Sequence, residues 1–314
     1  NQGLAERDTR IASLEVGLAE RDNRIAGLET SVNQGLAERD NQIIKLTNEI
    51  YNLKTSLVMQ EHRLSIFLEE AQKRLPEPFD KEQLETFSQE EHHLLDPLYV
   101  SFEDQFRGTR EDIKERLRIY IPYLREAGAG SEDRLILDVG CGRGEWLELL
   151  KEEEFHAEGI DINSALVEAC KERGIEVVEG EAIDYLRILP DNSLGALTAF
   201  HFIEHLPFAV LIKFLNETVR VLKPGGLAIF ETPNPENILV SACNFYFDPT
   251  HRNPLPPAMM KFVAESRGLC RVEIIRLHPY DEAFKLPDDS TELTKRFNEY
   301  FHGPQDYAIV GRRL

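Results

Sequence analysis

Apolar positions recur with a helical period near the start of the chain and with the period of short strands from about residue 135 onward. Three near-copies of Gly-Leu-Ala-Glu-Arg-Asp begin at Gly3, Gly17 and Gly35. The first spacing, 14 residues, is two heptads, and the second, 18 residues, is two heptads plus a four-residue stutter. This repeat predicts a coiled coil. The first heptad position is apolar throughout and is occupied by Leu4, Ile11, Leu18, Ile25, Val32, Leu36, Ile43, Ile50, Leu57 and Leu64.

The seam of this coiled coil is interrupted by polar residues at the fourth heptad position, including Arg7 and Arg21, which can fix register and strand number. We expect residues 1–75 to join copies of the chain into a homo-oligomer, with dimer and trimer both open. The alternative is a single amphipathic helix lying on the following domain. Pro76 and Pro78 end the pattern.

Residues 76–130 have a helical pattern and are predicted to form a linker or cap. We expect its helices to pack against the edge of a sheet and to cover the mouth of a ligand site. Arg107 and Arg110 lie within this segment. Either arginine is available for an anionic group, and an exposed helix charge is the alternative.

Five short apolar runs follow, each ending in a turn or an acidic residue: 135–139, 156–161, 177–182, 195–200 and 227–230. Strands that alternate with helical segments predict a doubly wound parallel α/β sheet over residues 131–314. The remaining pattern predicts a helix at 257–267, a strand at 271–277 and a last antiparallel strand at 306–312. The intervening residues 278–303 show no strong pattern and are expected to form a lid or an acceptor-binding insertion.

Charge and composition exclude some partners. Net charge is −20, from 56 acidic and 36 basic residues, so nucleic acid is a poor substrate candidate. The four cysteines have no C-x-x-C spacing, which favours free thiols in a reducing cytoplasm. No membrane span is expected, and any membrane association would be peripheral, through partners at the inner membrane. The chain begins inside a repeat, so we expect it to be a fragment of a longer protein.

A glycine-rich turn follows the first strand. Gly140, Gly142 and Gly144 alternate directly after Asp138, and Asp161 ends the next strand. A nicotinamide-binding turn reads G-x-G-x-x-G, whereas this one reads G-x-G-x-G. Together with Lys223-Pro-Gly-Gly226 before the fifth strand, this series resembles class I S-adenosylmethionine (SAM) dependent methyltransferases.

The resemblance implies a SAM-binding role for six residues. Gly140 and Gly142 would pass under the methionine part of SAM, and Asp138 would orient its ammonium group through the turn. Asp161 would accept both ribose hydroxyls, and helix capping is its alternative role. The carboxylate of Glu181 would accept from the adenine amino group, and the backbone amide of Ala182 would donate to the adenine ring.

Three residues after the fourth strand, His201, Glu204 and His205, would share one face of a helical turn, and His251 follows at a distance. His and Glu are good ligands for a divalent metal. The arrangement resembles the metal site of small-RNA 2′-O-methyltransferases, which implies that Glu204, His205 and His251 bind Mg²⁺ or another divalent ion, with His201 as ligand or base. A metal-free base, His201 or His205, and histidines that are merely packed are the alternatives.

The segments 231–237 and 244–251 resemble methyltransferases of bacterial O-antigen and surface-polysaccharide assembly. In that interpretation Asn234, Asn237, Asn244 and the aromatic Tyr246 contact a glycan acceptor, and turn formation is the alternative. We expect an O-methyltransferase of a sugar hydroxyl, with the coiled coil as a spacer from a glycosyltransferase or polymerase partner. The other hypotheses are O-methylation of a small phenol or quinone precursor, and a non-catalytic scaffold with a vestigial methyltransferase fold.

Overall fold

The computed structural model describes residues 108–314 and, before them, only residues 21, 39, 42, 43, 45–47, 50 and 64, all of which are helical. The predicted coiled coil, most of the predicted linker and Arg107 lie outside the described residues. Among the residues that are described, no helix combines the length and apolar character needed to cross a membrane.

Strands and helices alternate through the described domain. The strands are β1 (Ile136–Val139), β2 (Ala157–Asp161), β3 (Val177–Glu179), β4 (Leu194–Phe200), β5 (Leu222–Pro233), β6 (Leu269–Pro279) and β7 (Pro304–Arg313). The α-helices are α1 (Arg110–Leu117), α2 (Ile121–Ala127), α3 (Glu145–Glu152), α4 (Ser164–Glu172), α5 (Ala182–Ile188), α6 (Phe208–Val221), α7 (Ile238–Ala242), α8 (Pro257–Ser266) and α9 (Glu292–His302). Short 3₁₀ helices cover Arg118–Tyr120, Ile203–His205, Asn244–Phe247 and Glu282–Phe284.

The strands form one seven-stranded sheet in the order β3-β2-β1-β4-β5-β7-β6. The first five strands are parallel, and β7 runs antiparallel to both of its neighbours. This arrangement confirms the predicted doubly wound α/β sheet and its last antiparallel strand. The carboxyl ends of β1 and β4 are adjacent, so the turns that follow them lie at the same edge of the sheet.

Side chains alternate between the two faces of the sheet, as the strand period requires. In β5, Leu227 and Ile229 pack with α2 and α3, whereas Ala228 and Phe230 pack with α5 and α6. Both faces are therefore buried, which explains why β4 is buried over its whole length.

Two details differ from the sequence predictions. Helix α2 packs on the face of the sheet at β4 and β5 rather than against its edge, because Tyr120 and Leu124 are fully buried there. The segment 278–303 contains the regular helix α9. The four cysteines, all within the described residues, are free thiols as predicted.

Candidate functional site

The glycine turn after β1 keeps the backbone open to a ligand. Gly140 has φ +69°, a conformation that L residues rarely adopt. A Cβ atom at Gly140 would lie 2.7 Å from Cδ2 of Phe202, which follows β4. The turn is fixed to β2, since the amides of Gly140 and Cys141 both donate to the carbonyl of Ile160.

Asp161 faces this turn from the end of β2. Its Oδ2 accepts from the Gly142 amide at 2.8 Å, and its Oδ1 accepts from the Asn163 amide at 2.9 Å. The alternative capping role belongs to Asn163, whose side chain accepts from the Leu166 amide at the start of α4. A carboxylate at the end of β2 and beside the glycine turn offers acceptors of the kind that ribose hydroxyls require. This chemistry fits SAM.

The other predicted SAM contacts also lie at or near the carboxyl ends of the parallel strands: Asp138 is in β1, and Glu181 and Ala182 follow β3. Asp138 is buried and accepts from the Thr198 hydroxyl at 2.7 Å, so its carboxylate is held rigidly below the turn. Glu181 caps α5 by accepting from the Asp184 amide at 2.9 Å, and Ala182 begins that helix. The roles of Asp138, Glu181 and Ala182 toward SAM stay predictions.

Glu204, His205 and His251 are brought together at the end of β4, with one potential ligand atom from each lying within 4.8 Å of the others. Glu204 is 1% exposed, and its Oε2 accepts from the Thr232 hydroxyl at 2.9 Å. Its Oε1 is buried and makes no hydrogen bond within the described part of the chain. Its nearest potential donor is Nδ1 of His201, 3.4 Å away. A buried carboxylate oxygen with no closer partner can serve as a metal ligand.

The two histidines of this cluster are held by their Nδ1 atoms. His251 Nδ1 lies 2.6 Å from the carbonyl oxygen of Phe245, and His205 Nδ1 lies 2.8 Å from the hydroxyl oxygen of Thr250. A carbonyl only accepts, so His251 Nδ1 donates and its Nε2 carries the lone pair. Burial lowers the pKa of His251, which favours the neutral ring that binds metals.

His201 belongs to a second cluster beside the first. It precedes the 3₁₀ helix and has φ +53°. The prediction that His201 shares a helical turn with Glu204 and His205 is therefore wrong. Its Nδ1 is 3.4 Å from Glu204 Oε1, and its Nε2 is 3.7 Å from Glu231 Oε1 and 3.9 Å from Asp306 Oδ1. His201 thus connects three carboxylates.

These carboxylates set the charge of His201. Burial alone would lower the pKa of His201, but Glu204 and Glu231, with Asp306, outweigh it and raise the pKa to about 10. For Glu204 the effects have the opposite signs. Burial alone would raise its pKa, but the contact with His201 outweighs burial and lowers the pKa to about 2. A protonated His201 has no lone pair, so this geometry favours His205 over His201 as a general base.

Two asparagines predicted to contact an acceptor perform structural roles. Asn234 Nδ2 donates to the carbonyl of Pro304, and Asn237 Nδ2 donates to the carbonyl of Gly303. Asn237 also caps α7, so both side chains hold α9 and β7 in place. Asn244 donates to the hydroxyl of Tyr280. The turn-forming alternative is therefore the better account of Asn234 and Asn237.

Arg110 is also structural. Its guanidinium donates to the carbonyl of Arg143 at 2.7 Å and to Glu148 at 2.8 Å. Helix α1 is thereby tied to the glycine turn and to α3, and these bonds occupy the arginine proposed for an anionic group.

Sequence reasoning missed several polar residues around the two clusters, among them Asp248, Thr250, Glu231 and Asp306. Asp248 and Thr250 lie directly before His251, and that proximity was a usable signal. Glu231 directly follows the apolar run predicted as a strand at 227–230 and lies within β5. Asp306 is brought to His201 by the register of β7 against β5, which the local pattern that predicts the last strand does not indicate.

Comparison with known proteins agrees with this fold. A family model described as "Methyltransferase domain" matches residues 110–271. A SAM-dependent methyltransferase of known structure from Archaeoglobus fulgidus is 38% identical with a TM-score of 0.62, over 68% of this chain and 99% of that one.

Two curated relatives have assigned activities. A ubiquinone biosynthesis O-methyltransferase from Nitrosomonas europaea is 25% identical over 68% of this chain and 93% of its own length. A demethylmenaquinone methyltransferase from Listeria monocytogenes is 32% identical over 32% of this chain and 45% of its own length.

The fold and the glycine turn thus define an α/β methyltransferase domain. The chain belongs to the SAM-dependent methyltransferases, and its cofactor is SAM.

Proposed function

We propose that this chain transfers a methyl group from SAM to a hydroxyl oxygen of a small aromatic diol, of the phenol or quinone-precursor class. The observation that carries the proposal is the cluster of Glu204, His205 and His251 at the end of β4. The quinone-related relatives support this small-molecule hypothesis over the polysaccharide hypothesis, since the names of these relatives contain no glycan substrate.

The cluster offers one buried carboxylate oxygen and two imidazoles, a donor set that suits a divalent transition-metal ion better than Mg²⁺, which prefers oxygen ligands. When bound, such an ion supplies a Lewis acid that lowers the pKa of a hydroxyl. Glu204, His205 and His251 would hold the ion and would leave positions on it for two oxygens of a ligand, which favours a vicinal diol.

The protein's own groups would orient the reactants. Asp161 and the glycine turn would hold SAM, which supplies the methyl group as a sulfonium. The protonated His201 would hold the Glu204 carboxylate in place. If no metal takes part, His205 is the candidate base that accepts the hydroxyl proton.

Aromatic side chains beside the cluster favour a planar acceptor. The Phe245 ring lies 4.6 Å from the His251 ring, and the Tyr246 ring packs edge-on against Phe245 at 5.4 Å. Tyr246 is 61% exposed, so its ring is available to a ligand. Such a surface suits stacking with a phenolic ring.

Methyl transfer to defined acceptors tests the proposal. Labelled SAM is incubated with the full chain and either 3,4-dihydroxybenzoate or a methyl glycoside that carries a vicinal diol. We expect a labelled ether from the catechol alone, and label on the glycoside alone would return the function to the polysaccharide hypothesis.

A second arm tests the metal. We expect EDTA to abolish turnover without changing SAM affinity, and Mn²⁺ to restore it. Glu204→Gln should lose activity, whereas Glu236→Gln, an exposed acid paired with Arg276, should retain it. Full activity in EDTA would transfer the role to a histidine base.

A further inference from the structure

A short hydrogen-bond chain runs from Asp248 through Thr250 to His205. The Thr250 hydroxyl oxygen lies 2.6 Å from Asp248 Oδ1 and 2.8 Å from His205 Nδ1. The Thr250 amide also donates to the same Asp248 oxygen at 2.8 Å, which fixes the loop around the hydroxyl.

The number of protons determines the direction of this chain. A threonine hydroxyl has one hydrogen, and a carboxylate can only accept. The hydroxyl therefore donates to Asp248 and must accept from His205. It follows that Nδ1 of His205 carries a hydrogen, and that in the neutral ring the lone pair is on Nε2.

We propose that Asp248 and Thr250 are positioning residues that fix the tautomer of His205 and leave its Nε2 as the atom available to a metal or a substrate proton. The tautomer of His205 is inferred from the hydrogen bonds alone. The use of its Nε2 toward a metal or a substrate rests on the proposed function. Histidine ligands in metal sites are commonly held in this way by a carboxylate or a carbonyl.

His251 reaches the same tautomer by a different device. Its Nδ1 donates to the backbone carbonyl of Phe245, a residue that is 2% exposed. The rings of His205 and His251 are 4.7 Å apart. One loop, residues 245–251, thus supplies the Nδ1 acceptors for both histidines, which leaves two Nε2 lone pairs in one cluster.

Thr250→Val removes the hydroxyl and keeps the shape of the side chain, and Thr250→Ser keeps the hydroxyl. Long-range ¹⁵N–¹H NMR of the full chain with labelled histidine identifies the protonated nitrogen directly. In metal-free buffer at about pH 9, above the ordinary pKa of histidine, we expect His205 to be protonated at Nδ1 in the native chain and in Thr250→Ser. In Thr250→Val the proton should move wholly or partly to Nε2.

Two NMR results would overturn the inference. One is a native His205 that carries a proton on Nε2. The other is a Thr250→Val variant whose His205 signals match those of the native chain, provided that circular dichroism and SAM binding show it to be folded.

Mn²⁺ affinity, measured by calorimetry on the same proteins, gives the functional readout. Loss of a group that orients a metal ligand typically weakens affinity by about 10–100-fold, so we expect that loss in Thr250→Val and less than about threefold in Thr250→Ser. Equal affinity in both variants would contradict a positioning role. If the native chain binds no Mn²⁺, the proposed metal function fails, and the NMR result still decides the tautomer.

Discussion

Glu204 Oε1 lies 3.8 Å from Nε2 of His251, although Glu204 precedes β5 in the sequence and His251 follows it. A backbone hydrogen bond of 3.0 Å from the Arg252 amide to the Glu204 carbonyl fixes this proximity. The carboxylate and the imidazole are therefore positioned by the main chain, and the cluster does not depend on long flexible side chains.

Removal of the Asp161 carboxylate should weaken SAM binding. Hydrogen bonds to a charged group contribute about 1.5–3 kcal/mol, so Asp161→Ala is expected to reduce affinity by at least about tenfold in calorimetry. Glu172→Gln, at an exposed acid on α4, is the matched control. Unchanged affinity in Asp161→Ala would exclude the ribose-binding role.

Gly140→Ala should reduce stability and SAM affinity more than Gly225→Ala does. Gly225 lies near the start of β5 and serves as the matched control. The two glycines have nearly the same φ, +69° and +73°, so both variants carry a backbone cost of about 1–2 kcal/mol. Only Gly140 has Phe202 within reach of the added methyl group, since no described atom lies within 4 Å at Gly225. Denaturant unfolding and SAM titration should show the larger loss for Gly140→Ala, and equal losses would contradict the close approach.

The raised pKa of His201 predicts a pH-dependent stability. The folded value of about 10 is above the ordinary 6.5, so protonated His201 stabilises the fold fully below about pH 6.5 and less as the pH rises toward 10. In metal-free buffer, the unfolding free energy lost in His201→Gln should therefore be greatest near pH 6 and shrink toward pH 10. His156→Gln, at an exposed histidine, is the control. A loss that does not vary with pH would show that His201 is neutral.

The heptad pattern predicts self-association. Ile43 and Ile50 occupy the predicted seam, so replacing both with lysine should separate the oligomer without changing SAM binding by the domain. Light scattering on the intact chain and on this variant measures the effect. A monomeric intact chain would rule out the predicted homo-oligomer.

The glycine turn and the acid after β2 were predictable because each ends an apolar run, and parallel strands bring their carboxyl ends to one edge. Glu204 and His205 were predictable for a similar reason, since they follow β4, whereas the place of His251 beside them was expected only from the resemblance to a family of metal-binding methyltransferases. The donor and acceptor roles of the two histidines were not predictable, because these depend on the Phe245 carbonyl and the Thr250 hydroxyl, whose positions come from the folded loop.

Helix α9 was missed because its apolar residues do not form a clean buried stripe. Leu293 is 78% exposed and Tyr300 is 48% exposed, and only Thr294 of this helix is buried. The role of Asp306 required the antiparallel register of β7, which places it opposite Pro233. Strand pairing over such sequence distances is not encoded in a local pattern.

The pairing of Pro279 with Pro304 brings together the two ends of the excursion that contains α9. Since the closure entropy of a loop changes by only about 0.6 kcal/mol for each doubling of its length, this excursion can lengthen, shorten or be exchanged at little cost to the sheet. Asn234 and Asn237 fasten its return to the backbone at Gly303 and Pro304, whatever side chains the excursion carries. The segment between β6 and β7 can therefore differ in length and sequence without changing the sheet that carries the two clusters.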